Sequence, residues 1–295
     1  MKEKLRTIED LASTIEDGMT IGIGGSTLRR HPMALLRELV RQGRKDLTLQ
    51  AWLGGLDFDF LVGAGAVRRI ECAYVGLGPL GLSPNVRRLA DSGELDVRFF
   101  TESSMIARFK AAAAGHPFGI TRVIAGTDYD DPELIREITD PFTGATLHAV
   151  APAQPQVTLL HGYYSDEFGN IQRPTRYNRD DVDVLLASAS DRVIVTVEQL
   201  ISHDEVVRRP HSTYLPHHWV DGVALAPFGA HPGPCDALYE PDFAALDDYL
   251  AAAKDPEKFR QYLETNVLPS KNNGDYLARV TSPATLAAIR IADEV

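Results

Sequence analysis

The stretch Asp17-Gly-Met-Thr-Ile-Gly-Ile-Gly-Gly-Ser-Thr-Leu-Arg-Arg-His-Pro32 decides how the rest of the chain reads. Asp17-Gly18 is a turn pair, and Met19 to Ile23 is a short apolar run of the kind found in a strand buried on both faces. Gly24-Gly25 stops that run. Pro32 suits a first helical turn. Met33, Leu36 and Val40 then follow at helical spacing, with Arg37, Glu38 and Arg41 on the wetter side. Strand, glycine-bearing loop and helix make one βα unit.

The same rhythm recurs outward. Leu11 and Ile15 share one face of a short helix over Ile8–Ile15, and Met105–Ala114 is an alanine-rich helix. Leu47–Leu53 reads as a strand ended by a second pair, Gly54-Gly55. Ile70–Val75, Val97–Phe100, Val123–Ala125, Gln156–His161, Val182–Ala187, Val193–Val197 and Val220–Ala226 read as further strands. Strands separated by helices imply right-handed crossovers and a mostly parallel sheet covered on both faces. Residues 128–155 and 227–241 read as insertions or working loops. No repeat, low-complexity tract or linker marks a boundary, so one α/β domain over residues 1–295 with a helical C-terminal tail is expected.

Composition narrows the function. The 295 residues are 44% hydrophobic and 24% charged, as in an ordinary globular protein. Lys+Arg number 30 against 41 Asp+Glu, a net charge of −11, which leaves no basic excess to neutralise phosphates and argues against a nucleic-acid partner. Cys72 and Cys235 sit among apolar or small residues and fit reduced thiols in the cytoplasm. Neither a Cys-x-x-Cys nor a His-x-x-x-His pair occurs, so no metal is expected. The N-terminus lacks an apolar h-region and no stretch of about 18 apolar residues occurs, so no membrane segment is expected.

Several motifs admit two readings. Gly76-Leu-Gly78-Pro-Leu-Gly81 matches a dinucleotide-binding spacing, but Pro79 has no N–H to offer a pyrophosphate. His203-Asp204-Glu205 and His217-His218 read as surface or loop histidines, since neighbours on a strand point to opposite faces. No Gly-x-Ser-x-Gly elbow occurs. Gly24 and Gly25, at the carboxyl end of a strand, would let backbone N–H groups form an oxyanion hole, or would simply allow a tight turn. Glu102, after a strand and before a helix, is either a carboxylate at the catalytic edge of the sheet or a helix-start residue with Thr101.

Taken together, Gly22-Ile-Gly24-Gly25-Ser26 with Arg29-Arg-His-Pro32, Ile201-Ser-His-Asp-Glu205 with Arg208-Arg209, and Ala226-Pro-Phe-Gly-Ala-His-Pro232 resemble the signatures of family I CoA-transferases. The resemblance is narrowest to A (alpha) subunits of the glutaconate type and runs from about Met1 to Tyr262. Ala111–Phe118 falls where that family has an Ala-rich helix ending in Gly-x-Pro-Phe. The resemblance implies an open three-layer α/β/α fold and coenzyme A as a substrate, with no permanently bound cofactor. It also implies a B (beta) subunit, in an A2B2-type hetero-oligomer, that carries the thioester-forming glutamate in a Ser-Glu-Asn-Gly-type motif absent here. Gly24 and Gly25 would then stabilise the oxyanion, and Ser26 and Arg29 would engage an acyl carboxylate or a CoA phosphate. The family usually has Phe where this chain has Ser26. In a related branch, the sterol ring-opening CoA-thioester hydrolases, a glutamate in the place of Glu102 acts as base. A non-catalytic acyl-CoA-binding protein is the third expectation.

Overall fold

Seven strands run parallel through the middle of the molecule: β1 Thr20–Ile23, β2 Leu47–Gln50, β3 Val67–Cys72, β4 Asp96–Phe99, β5 Val157–Ser165, β6 Val193–Leu200 and β7 Gly222–Leu225. The computed structural model describes residues 2–124, 131–175 and 182–291. Across the sheet the order is β7-β6-β5-β1-β2-β3-β4. The chain thus winds outward from β1 to β4, returns, and winds the other way from β5 to β7. The junction of β1 and β5 is a topological switch point, where α/β sheets open a crevice beyond the strands' carboxyl ends. Ile171–Gln172 and Thr213–Leu215 add two short antiparallel strands along the far half of β5.

A parallel sheet must be buried on both faces, and successive residues supply one face each. Ile21, Ile23, Leu49, Ile70, Leu159 and Ile194 join the larger core cluster. That cluster also takes in α1 (Ile8–Ser13), α2 (Met33–Arg41) and α3 (Leu56–Gly63). Neighbouring Leu160 and Val195 pack instead with Ala187 of α6 (Val182–Ala189). Phe109 of α5 (Glu102–Ala113) meets Leu186 of α6 in a third cluster. The layers are therefore α/β/α. At the C-terminus α8 (Phe243–Ala253), α9 (Pro256–Tyr262), α10 (Asn273–Val280) and α11 (Pro283–Ile289) follow, while α4 (Pro84–Asp91) packs on α3 and α8, and α7 (His203–Arg208) follows β6. Among the described residues no helix is long and apolar enough to cross a membrane.

Some sequence expectations need correction. Val182–Ala187 is the body of a helix, not a strand: Val182, Leu186 and Ala189 form a helical stripe on α5, and periodicity cannot separate a short buried run of either kind. Val123 and Ile124 lie in a turn, and Ala125 is outside the described residues. The supposed loop 128–155 contains two strands, Ile135–Thr139 and Thr146–Val150, of a small antiparallel sheet completed by Gly119–Thr121. Leu47–Leu53 breaks after Gln50, and Leu53–Gly54 pairs with Tyr74–Val75 instead. Arg37 and Glu38 are buried rather than wet: α10 covers Arg37, and Glu38 accepts from Arg41 and Gln42 at the end of its own helix. Arg37 donates to the His231 carbonyl at 2.9 Å and to Asn273 Oδ1 at 2.7 Å, and its guanidinium sits 3.7 Å from the Tyr276 ring centroid.

Candidate active site

The loop that leaves β1 at the switch point is a closed turn with its glycines at fixed jobs. Gly24 N–H donates to the Leu159 carbonyl at 3.0 Å, extending the β1–β5 ladder by one rung. Gly25 has φ +87°, and a Cβ there would lie 2.4 Å from the Arg29 carbonyl oxygen. Only glycine tolerates both demands. Ser26 and Arg29 then exchange backbone hydrogen bonds of 3.0 and 2.9 Å, which folds the turn back on itself. Gly55 serves the same turn from outside. A Cβ on Gly55 would fall 1.6 Å from the Thr27 carbonyl oxygen, so a glycine at 55 is what lets the two backbones touch.

A buried ion pair pins this turn. Asp183, on the first turn of α6, accepts the Gly25 N–H through Oδ1 at 3.0 Å and the Arg30 guanidinium through Oδ2 at 2.7 Å. Arg30 and Asp183 are about 4% and 3% exposed. Burial opposes the Arg30 charge, but Asp183 and the phenols of Tyr163 and Tyr214 outweigh it and raise its pKa above the ordinary range. Asp236 stands 3.8 Å from Arg30 and 3.4 Å from Arg29. Arg29 is half-buried and lines a cavity of about 420 Å³ with Thr27, Pro234, Asp236 and Tyr239.

A second node lies beside it, between the middle of β5 and the carboxyl half of β6. Glu198 Oε1 accepts from Tyr239 Oη at 2.7 Å, from Gly229 N–H at 3.0 Å and from His161 Nε2 at 2.7 Å, and Oε2 accepts the Phe228 N–H at 2.6 Å. His161 also meets Thr196 Oγ1 at 2.8 Å. Cys235 brings a sulfur within 4.8 Å of the His161 and Glu198 donor atoms. Burial and the Glu198 charge hold its thiol protonated, and the carboxylate is already fully engaged, so this is a hydrogen-bonded node rather than an open ligand set. It anchors the Ala226–Pro232 segment. Glu198 and Tyr239 also line a cavity of about 330 Å³ beside Arg290.

The structure thus gathers Gly24, Gly25, Ser26 and Arg29 into one turn. It also constrains their roles. Both glycine N–H groups are spent within the chain and Ser26 is buried. As folded, the two glycines shape the turn and present no oxyanion donor. Glu102 is elsewhere on the same edge, three strand spacings from Gly24, or roughly 14 Å. It is the exposed first residue of α5, whose N-cap Thr101 accepts the Ser104 N–H at 3.1 Å. Asp183, Arg30, His31, His161 and Glu198 escaped sequence reasoning as site residues. The one signal for them was that Arg30 and His31 stand inside the Arg29–Pro32 motif.

An open parallel sheet with its polar nodes at a switch point defines a class of α/β protein that binds small ligands at the strands' carboxyl edge. Within that class, the chain belongs to the coenzyme A transferase family, whose model matches residues 5–226. The A subunit of the glutaconate CoA-transferase of Acidaminococcus fermentans is 31% identical over 94% of this chain and 92% of its own length. The crystal structure of glutaconate coenzyme A-transferase from that organism superposes with a TM-score of 0.92 at 28% identity, covering 99% of this chain and 97% of that one. A cholesterol ring-cleaving hydrolase IpdA subunit of Rhodococcus jostii is 31% identical over 95% of this chain and 96% of its own length. An Archaeoglobus fulgidus relative is longer; the chain, 34% identical to it, spans 66% of its length.

Proposed function

We propose that this chain is the A subunit of a two-subunit CoA-transferase that moves CoA between a small, dicarboxylic acyl-CoA and a carboxylic acid. The observation that carries the reading is the pinned Gly24–Arg30 turn at the β1–β5 switch point in a chain that matches glutaconate CoA-transferase along its whole length. The partner's glutamate would attack the acyl-CoA carbonyl and expel CoA thiolate, giving an acyl anhydride. The thiolate would then attack the glutamyl carbonyl, release the carboxylate and leave a glutamyl-CoA thioester, which the acceptor carboxylate reverses. Arg29, on the wall of its cavity, is the group of this chain proposed to hold the acyl carboxylate. The Gly25 N–H, expected as an oxyanion donor together with that of Gly24, reaches an oxyanion only by releasing Asp183. An A2B2 assembly completes the site, and the free thiols of Cys72 and Cys235 support a cytoplasmic setting.

The test uses the chain co-purified with its native partner. Incubation with dicarboxylic acyl-CoA esters and then borohydride should inactivate the complex only when acyl-CoA is present, because borohydride reduces an enzyme thioester. CoA exchange that never yields a borohydride-sensitive species refutes the mechanism. One observation favours a second reading, a ring-opening hydrolase: Glu102 stands exposed at the carboxyl edge and could activate water as a base. That reading requires acceptor-independent consumption of a ring-bearing CoA ester, abolished in Glu102→Ala. Binding of acyl-CoA with no turnover of any kind would instead fit a non-catalytic role.

A further inference from the structure

His31 is buried under the Gly24–Arg30 turn, 1% exposed, and both of its ring nitrogens face acceptors. Nδ1 lies 2.9 Å from the Gly24 carbonyl oxygen and 3.3 Å from Asp57 Oδ2; Nε2 lies 2.9 Å from the Thr27 carbonyl oxygen. A neutral imidazole has one N–H and one lone pair. Either neutral tautomer would therefore aim a lone pair at a carbonyl oxygen 2.9 Å away, in a place closed to solvent. An imidazolium satisfies both contacts at once.

Its counterion is in place. Asp57, the second residue of α3, is fully buried and accepts the Gly55 N–H through Oδ1 at 2.7 Å. Its Oδ2 has no hydrogen-bond partner and faces Nδ1. Burial is the largest influence on Asp57 and leaves its pKa raised; the His31 charge and the Gly55 and Phe58 N–H groups oppose it only in part. From β3, the Cys72 thiol is kept protonated by burial and by Asp57. Next in the chain, Arg30 is already matched by Asp183 on α6.

We propose that His31 is a doubly protonated positioning residue, an imidazolium that ties both ends of the Gly24–Thr27 turn to the buried carboxylate of Asp57. The Thr27 carbonyl also takes the Leu56 N–H at 3.2 Å, so the pair fastens the turn to the start of α3 at two points. His31 is then no base, and its work is to fix where Arg29 and Arg30 begin. The kinetic consequence rests on the transferase reading; the charge state does not.

The deciding measurement is nitrogen-15 NMR of the full chain labelled at histidine. The His31 signal is assigned by its loss in H31Q or, if that variant does not fold, by correlation to the backbone. Both ring nitrogens should carry protons, and D57N should leave only one of them protonated. One unprotonated ring nitrogen in the unsubstituted chain overturns the proposal. In complex with the partner, H31Q should lower kcat/KM about tenfold or more, with KM raised for the dicarboxylic acyl-CoA that Arg29 would hold, D57N should match it, and the double variant should be no worse than either single one. Additive losses in the double variant overturn the pairing. An unsubstituted complex without transferase activity refutes the transferase reading and leaves the NMR result standing.

Discussion

Replacing Gly25 by alanine separates two demands that the turn makes on that position. Gly25 and Gly18 share a left-handed backbone, with φ +87° and +79°. A side chain in that region costs about 1–2 kcal/mol on conformational grounds. For Gly18 that is the whole cost, since nothing lies within 4 Å of an added Cβ. At Gly25 the Cβ would meet the Arg29 carbonyl oxygen at 2.4 Å and the Arg30 carbonyl group at 2.9 Å. Both are backbone, so the turn must open by about 0.6 Å to restore a contact of 3.0 Å. Opening it loosens the two Ser26–Arg29 hydrogen bonds, worth about 1 kcal/mol each. Gly25→Ala should therefore lose about 3–4 kcal/mol and Gly18→Ala about 1–2. Urea unfolding with unchanged m-values measures the difference. In complex with the partner, turnover should fall at least about tenfold for Gly25→Ala and hold for Gly18→Ala. Equal stability losses, or full turnover by the Gly25 variant, would refute the argument from close approach.

Three further outcomes can be checked. Asp183→Asn keeps an acceptor for the Gly25 N–H but leaves Arg30 a buried cation without its closest carboxylate; stability should fall by about 3–5 kcal/mol in denaturant unfolding, with turnover falling alongside. Burial, and secondarily the Arg37 charge, lower the His231 pKa to about 4 against the hydrogen bond to Asp242. The unfolded chain therefore binds a proton that the folded one refuses between about pH 6.5 and 4, and stability present above 6.5 should drain away over that window by about 3 kcal/mol. His231→Gln should flatten that slope in pH-dependent thermal melts. Glu102→Ala should leave borohydride-sensitive CoA transfer in place, since in the transferase reading the partner supplies the nucleophile; acceptor-independent consumption of a ring-bearing CoA ester that this variant abolishes would point to the hydrolytic reading.

The sheet was legible because its signals are local. Each run from Met19, Leu47 or Val193 is apolar and short, and Gly24-Gly25 marks the end of β1 by itself. Thr101 and Glu102 likewise announced a helix start, which α5 supplies. What failed was local ambiguity or distant contact. Val182–Ala189 is equally apolar as strand or helix until α5 packs against it. Arg37 reads as a solvated face until α10, more than two hundred residues later, covers it with Tyr276. The polar nodes were out of reach for the same reason: Gly25 and Asp183 are 158 positions apart, and Glu198 finds Tyr239 across 41. Among the described residues, the groups that set the charge of the site come from four or more separate strand ends and helix starts, and no spacing rule joins them.

The contact between Gly55 and Thr27 has a consequence for how this sequence can drift. With 1.6 Å between a would-be Cβ and the Thr27 oxygen, no rotamer choice or small shift relieves a side chain at position 55; the whole 24–30 turn would have to be rebuilt first. Yet that turn is held by Gly25, Asp183 and Arg30, each of which is costly to change alone. Gly25 and Gly55 therefore form a single evolutionary lock. Single-step mutation meets a barrier on every side, and a differently shaped turn at this edge of the sheet is reachable only by replacing both loops together.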